Sequence, residues 1–467
     1  MNHKRKIFLF ETSVEDQNRE RGEIREGNNT PFPIGILYLD TILRNYGYNV
    51  LTKDYTAWSE KHCLKEIEVQ IKKFKPDIVG ITVMSMTRAS SYKAMRLIKR
   101  LSPQIKIILG GIHASVMYSQ LLKNFPVEAI CIGEADKNII PLINSLSKGK
   151  SLKAIRGIAY KDKNGQIVRT ALQDLGRDID DLPYPNYNAY MNPNIKRVYM
   201  ISSRGCPNRC SFCCLHLTSR QIWRQRSYVK VVEEIEYITK KYPWVEEIQF
   251  MDDTMTLDNA RIINLCKEIV KRGIHLRFYC AGRVKPVSRE MFYWMERAGF
   301  KEIQFGIETG SDKIMKSINK GITKQDCIIA FKLLREFPKI KAVKFIIVGL
   351  PGETEGTVEE TINFIKQLQK LKRMDFFYAA PLWIYPGTDV YQIAMAKGLI
   401  NDSYWLSDKP CPLYTLEHSE QWLMKMSNKI AIKTMLAQGK IYFLKRLIEK
   451  IKQNPQYYME RFLRLRK

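Results

Sequence analysis

Three cysteines, Cys206, Cys210 and Cys213, stand in a C-x3-C-x2-C spacing within Ser203-Arg204-Gly205-Cys206-Pro207-Asn208-Arg209-Cys210-Ser211-Phe212-Cys213, and a fourth, Cys214, follows at once. Soft thiolates offered from one short loop suit three corners of an iron–sulfur cube and leave the fourth iron open. A zinc site is the competing chemistry; it would need a fourth ligand, which Cys214 or His216 could supply. Further along, Asp252 and Asp253 in Phe250-Met251-Asp252-Asp253-Thr254-Met255-Thr256 form a carboxylate pair able to accept hydrogen bonds from an ammonium group. Arg283 could grip a carboxylate with both arms of its guanidinium, or merely pair at the surface. Glu308 lies between glycines in Phe305-Gly306-Ile307-Glu308-Thr309-Gly310-Ser311, and Gly349 opens Gly349-Leu350-Pro351-Gly352-Glu353-Thr354, where turn formation competes with a close backbone approach to a ligand.

These groups need elements to place them. From residue 6 to about 146, short apolar runs at 7–10, 49–52, 78–83, 105–109 and 129–132 alternate with helical periodicity at 34–45, 63–74 and 92–101. Strand then helix, repeated, predicts a doubly wound, Rossmann-like parallel sheet over residues 1–150. Residues 151–195 follow as a hairpin, strands at 158–160 and 167–169, and a linker around Pro183 and Pro185. Six further strands, at 198–202, 247–251, 276–281, 302–307, 343–348 and 375–380, predict a partial (β/α)6 barrel over 196–390. Reactive groups in such barrels sit at the strands' C-terminal ends, where the cysteines, Asp252, Asp253, Arg283, Glu308 and Gly349 fall. Residues 391–467 read as a helical, basic C-terminal region.

The cysteine triplet, with Phe212 just before its last member and a strand before its first, resembles the radical S-adenosylmethionine (SAM) superfamily over roughly residues 197–390. That resemblance implies a [4Fe–4S] cluster on Cys206, Cys210 and Cys213, whose open iron is chelated by SAM. It implies an amino-group contact at Asp252 and Asp253, a carboxylate contact at Arg283, a ribose or amino contact at Glu308, and an adenine or methionine contact near Gly349. Tyr385-Pro386-Gly387-Thr388 would shape the substrate end. The first 150 residues resemble the cobalamin-binding domain of a large radical SAM subgroup, through Pro33 and Gly35 in Pro31-Phe32-Pro33-Ile34-Gly35, Val79-Gly80-Ile81-Thr82, Gly110-Gly111-Ile112-His113-Ala114-Ser115, and Gly133-Glu134-Ala135-Asp136. The Asp-x-His-x-x-Gly pattern that donates histidine to cobalt is missing, so His113 is expected to pack against a loop or line the corrin edge. Met84 and Met86 could face the corrin, with core packing the expected reading of each by itself.

The function so implied is a cobalamin-dependent enzyme that cleaves SAM reductively to a 5′-deoxyadenosyl radical and methylates an unactivated carbon through methylcobalamin. Cyclisation or oxidation without methyl transfer uses the same motifs. A tRNA methylthiolating enzyme would carry three further ligating cysteines in its first domain, where only Cys63 and Cys131 occur, and this weighs against nucleic acid as a partner. A cobalamin sensor would have no use for an open-site cluster. The expected partners are a small-molecule or lipid-like substrate and an external electron donor of the flavodoxin or ferredoxin type. The formal charge is +28, and nine Lys or Arg residues lie between 440 and 467 around Ile441, Leu444, Leu447, Ile448 and Ile451. A basic amphipathic helix there could rest on an anionic membrane, or dock on the barrel with solvated lysines. With no signal-peptide pattern and no apolar run of spanning length, the expected setting is cytoplasmic, peripheral to the membrane if the tail binds it.

Overall fold

The computed structural model describes residues 5–14, 32–176, 179–373, 376–444 and 448. They form two compact units, Met1–Asp253 with Ile384–Pro412, and Thr254–Trp383 with Leu413–Lys467.

The first sheet takes strands β1 (Lys6–Glu11), β2 (Asn49–Asp54), β3 (Ile78–Thr82), β4 (Lys106–Gly110), β5 (Ala129–Cys131), β6 (Ile158–Lys161) and β7 (Ile167–Arg169), in the order 2-1-3-4-5-6-7. The first five are parallel. Ile7, Phe8, Leu9 and Phe10 are all buried, as expected for a central strand covered by helices on both faces. Helices Ile34–Asn45, Glu60–Phe74 and Arg88–Leu101 supply that cover. The chain reverses direction of winding between β1 and β3, and open α/β sheets bind ligands beyond the strand ends at such a point. The hairpin β6–β7 pairs antiparallel with β5 and so extends this sheet, because Ile158 and Ala159 are fully buried in it.

The second sheet is six-stranded and carries β8 (Arg197–Met200), β11 (Glu247–Phe250), β12 (Arg277–Gly282), β13 (Phe300–Glu308), β14 (Lys341–Val348) and β15 (Phe376–Pro381) in the order 15-14-13-12-11-8. The registered pairs are parallel. Side-chain caps start its helices: Ser227 accepts from the Lys230 N–H, Asp258 from Arg261, and Thr323 and Asp326 form a reciprocal capping box. Between β8 and β11 a two-residue ladder, β9 (Ser203–Arg204) with β10 (Arg224–Gln225), closes the base of the cysteine loop.

Between helices Asp389–Ala396 and Glu420–Leu436, the described residues interrupt the C-terminal region read as helical. A 3-10 turn, Asp402–Leu406, leads into an extended stretch through Pro410 and Pro412, which cannot donate to a helix, before helix Glu420–Leu436. Part of that stretch belongs to the first unit: the buried Arg88 donates to the carbonyls of Ser407 (3.4 Å) and Lys409 and lies 5.2 Å from the Trp405 ring. Most of the basic tail lies outside the described residues, as do Pro31 and Asp375.

Candidate functional site

In the first unit, the end of β11 is tied to the entry of the cysteine loop. Both oxygens of buried Asp252 are used: one accepts from the Ser202 N–H at 2.7 Å, the other from the Ser202 hydroxyl at 2.6 Å and from Ser203. Asp253 takes the Gly205 N–H at 2.9 Å with one oxygen. Solvent reaches Asp253, yet protein rings it, as for a side chain lining a concave surface. Burial raises its carboxyl above the ordinary range; the Gly205 N–H opposes this, Asp252 and Glu134 add to it, and Arg204 opposes it. Gly205 itself has φ +88°, and a Cβ there would collide with the Ile222 carbonyl oxygen, so only glycine fits.

Cys210 is buried, and Cys206 and Cys213 are half-buried. The Cys213 thiol is pushed up to about 12, by burial first; the Leu215 N–H opposes this, and Cys214, Cys210 and Cys206 reinforce it. A thiol kept protonated by burial beside neighbouring sulfurs belongs to a donor set that the positive charge of cluster irons would satisfy. Close by, His216 Nδ1, Ser219 Oγ and Trp223 Nε1 are buried with no hydrogen-bond partner. Buried polar atoms are nearly always paired, so this loop fits a bound group. Among the described residues no three His, Cys, Asp or Glu side chains close on a single metal ion. A cube does not ask that of them, since each thiolate meets a different iron.

The cobalamin candidates line the C-terminal rim of the first sheet. A Cβ on Gly35 or Gly110 would meet nothing within 4 Å, so both border open space. Gly111 has φ +91°, and its Cβ would lie 2.7 Å from the Val83 carbonyl oxygen, so its identity is dictated by the turn. Pro33 starts helix Ile34–Asn45 without a side-chain cap. Met84 is exposed at this rim rather than packed in the core. His113 is buried with both ring nitrogens engaged, Nδ1 at 3.1 Å from the Ser85 hydroxyl and Nε2 at 3.2 Å from the Tyr92 hydroxyl. Burial, then Arg88, lowers its pKa to about 3, so it is a neutral packing residue with no nitrogen offered to cobalt. Glu134, after Gly133 at φ +78°, is occupied by ion pairs with Arg204 at 3.1 Å and with Arg224.

In the second unit, the ends of β12 and β13 are joined. The Arg283 N–H donates to Thr256 Oγ at 2.9 Å, and its Nη2 donates to the Lys320 carbonyl at 2.9 Å. Lys320 Nζ sits 2.7 Å from Glu308 Oε1, and both residues are buried. Glu308 is left-handed, φ 67°, at a register shift between β13 and β14, and its carboxylate folds over Gly306, where any Cβ would collide with it. A strained non-glycine residue at a strand end points to function. Gly349, φ +86°, donates its N–H to Glu353, and a Cβ there would collide with Leu423, so packing and turn geometry both demand glycine. Sequence reasoning missed Lys320, Arg204 and Arg224, whose partners lie 12, 68 and 90 residues away.

Residues 200–365 match the Radical SAM superfamily and residues 24–139 match the B12 binding domain. An uncharacterized methyltransferase, PH0819, of Pyrococcus horikoshii is 32% identical over 379 residues, covering 80% of each chain. The anaerobic magnesium-protoporphyrin IX monomethyl ester cyclase of Rubrivivax gelatinosus is 30% identical over 365 residues, 75% of this chain and 64% of that one. Among solved structures, the methyltransferase TsrM from Kitasatospora setae with cobalamin and a [4Fe–4S] cluster superposes with a TM-score of 0.68 at 20% identity, over 84% of this chain and 78% of that one. OxsB with aqua-cobalamin and SAM gives 0.66 at 20% identity, over 87% and 57%. The chain belongs to the cobalamin-binding branch of the radical SAM superfamily, an enzyme family whose cofactors are SAM, a [4Fe–4S] cluster and cobalamin.

Proposed function

We propose that this protein is a cobalamin-dependent radical SAM methyltransferase acting at an unactivated carbon of a small-molecule or lipid-like substrate. The observation that carries the reading is the direct bonding, within one compact unit, of the cysteine loop to the rim of the cobalamin-type sheet through Arg204. The methyltransferase name of the 32% identical Pyrococcus horikoshii relative supports the choice of reaction. When bound, the reduced cluster and cobalamin supply reductive cleavage of SAM and a transferable methyl group.

The chain's own residues bind and orient. Cys206, Cys210 and Cys213 hold the cluster. Asp253, with one oxygen anchored by Gly205, accepts from the SAM ammonium, while Asp252 braces the β8 end and touches no ligand. Arg283 takes the SAM carboxylate, Glu308 a hydroxyl or amino hydrogen, and the Gly349 turn borders the nucleoside or methionine part. Pro33, Gly35, Gly110, Gly111 and Gly133 line the corrin rim, where Gly35 and Gly110 border open space that lets the ring approach. An external flavodoxin- or ferredoxin-type protein delivers the electron.

The test uses anaerobically purified protein, SAM, a strong reductant and extract of cells lacking the gene. Methyl transfer yields 5′-deoxyadenosine, S-adenosylhomocysteine and a product one methyl group heavier. Formation of 5′-deoxyadenosine without S-adenosylhomocysteine would favour cyclisation or oxidation instead, the chemistry named for the Rubrivivax gelatinosus relative.

No helix among the described residues is long and apolar enough to cross a membrane. Ile441, Leu444 and Ile448 are nevertheless exposed, three and four residues apart, where the basic tail begins. This supports peripheral contact with an anionic membrane.

A further inference from the structure

The cysteine loop has an unusual base. Strands β9 and β10 close it, and their register sets Arg204 directly opposite Arg224. Like charges facing across a ladder repel, and both guanidinium groups here are largely removed from solvent. No neighbouring residue of the ladder neutralises them. The counter-charges come from the loop that leaves β5 of the first sheet: Asp136 receives both arms of Arg204, at 2.7 and 3.3 Å, and Glu134 bridges the two arginines, at 3.1 Å from Arg204 and 3.2 Å from Arg224. Arg224 also donates to the Leu175 carbonyl at 3.1 Å, and the Arg204 guanidinium lies 5.1 Å from the Tyr38 ring of helix Ile34–Asn45. Two positive and two negative charges thus form a charge-balanced quartet, linked in the order Asp136, Arg204, Glu134, Arg224, with Gly205 and then Cys206 following Arg204 in the chain.

We propose that the Arg204–Arg224 pair, clamped by Glu134 and Asp136, is a positioning device through which occupancy of the cobalamin domain governs how firmly the cysteine loop holds its cluster. The quartet joins the Gly133–Asp136 loop, at the rim where the corrin would rest, to the residue two places before the first cysteine. Ordering of that loop by a bound corrin fixes both carboxylates, which fixes the ladder and the loop it closes. Loss of either carboxylate leaves two facing arginines in a confined site, and the base of the loop opens more often. This inference rests on the two-cofactor reading.

The experiment measures the rate at which an iron chelator strips the cluster from anaerobically prepared full-length protein, with and without hydroxocobalamin. In the wild type, cobalamin should slow iron loss by about 5- to 20-fold, the lower part of the usual range of coupling between two sites, about 5- to 150-fold. In Asp136→Asn, which keeps shape and removes one charge, cobalamin should still bind but the protection should fall below about 2-fold, on the same scale. Arg204→Lys, which keeps charge without the two-armed contact, should retain an intermediate protection and serves if Asp136→Asn does not fold. Full wild-type protection in both variants would overturn the proposal, because cobalamin would then shield the cluster without the quartet. Loss of cobalamin binding in Asp136→Asn would also overturn it, by making Asp136 a ligand rather than a clamp. Wild-type protein that holds its cluster but takes up no cobalamin would contradict the functional reading itself, before any variant is made.

Discussion

At the scale of single residues, the chemistry is carried by side chains that the chain's own bonds leave available, and by others that hold them there. The triplet Cys206, Cys210 and Cys213 should bind about four irons, the content of one cube. Replacing all three with Ala should abolish both the charge-transfer absorption and 5′-deoxyadenosine formation, whereas Cys214→Ala should leave both largely intact; survival of either signal in the triple variant would place the cluster elsewhere. Lys320 is the second case. It neutralises a buried carboxylate held in a left-handed conformation, and removing one member of a buried pair typically costs ~3–5 kcal/mol. Lys320→Met should therefore weaken SAM binding at least about tenfold, ~1.4 kcal/mol, with partial rescue by Lys320→Arg. Unchanged SAM affinity by calorimetry would remove Glu308 from the ligand's surroundings. The cysteines were readable because their spacing is local. Lys320, Arg204 and Arg224 were not, since a bond across 12 to 90 residues leaves no periodic mark.

At the scale of elements, what the sequence reveals and what it hides have one cause. Apolar runs mark buried strands, so β1 and β2 are read at 7–10 and 49–52, yet both continue, to Glu11 and Asp54. The extensions are charged, Glu11 in β1 and Lys53-Asp54 in β2, and hydrophobic patterning stops at charges even where the ladder does not. Glu11 and Asp54 face each other in register at the switch-point end of the sheet. Burial, then Asp54, pushes the Glu11 carboxyl up to about 8. In the unfolded chain it releases its proton near 4.5. Between those values the folded protein holds a proton that the unfolded one has lost, so stability falls as pH rises through that window and levels off above it. Glu11→Gln removes this dependence. Its melting temperature relative to wild type should climb steadily from pH 5 to pH 8, and a pH-independent difference would show that Glu11 is ionised in the fold. Gly111→Ala is the complementary test of backbone demand: with φ +91° and a carbonyl in the way, it should lower stability by ~1–3 kcal/mol in denaturant unfolding.

At the scale of the whole molecule, the α/β pattern made both sheets visible from the sequence, because parallel strands buried on two faces read as continuous apolar runs. Attachment of hairpin β6–β7 to the first sheet could not be read, nor the return of Ile384–Pro412 to the first unit, because both depend on packing between distant segments. The net charge of +28 is a property of the same scale, and it gives no fold information. Its consequence depends on whether it is spread evenly or meets an apolar surface. At the start of the tail it does meet one: Ile441, Leu444 and Ile448 are exposed, and helix Glu420–Leu436 adds exposed Ile432 and Leu436. An apolar stripe flanked by lysines binds anionic bilayers by burial and by charge together, each basic residue near the surface contributing about 1 kcal/mol, weakened by salt. Full-length protein should therefore sediment with vesicles containing phosphatidylserine at low salt and release at high salt. Protein ending at residue 439 should stay in solution, as should the full chain with purely zwitterionic vesicles. Equal behaviour of the two chain lengths would assign the exposed isoleucines and leucine to docking within the protein, and would leave the substrate to arrive from solution.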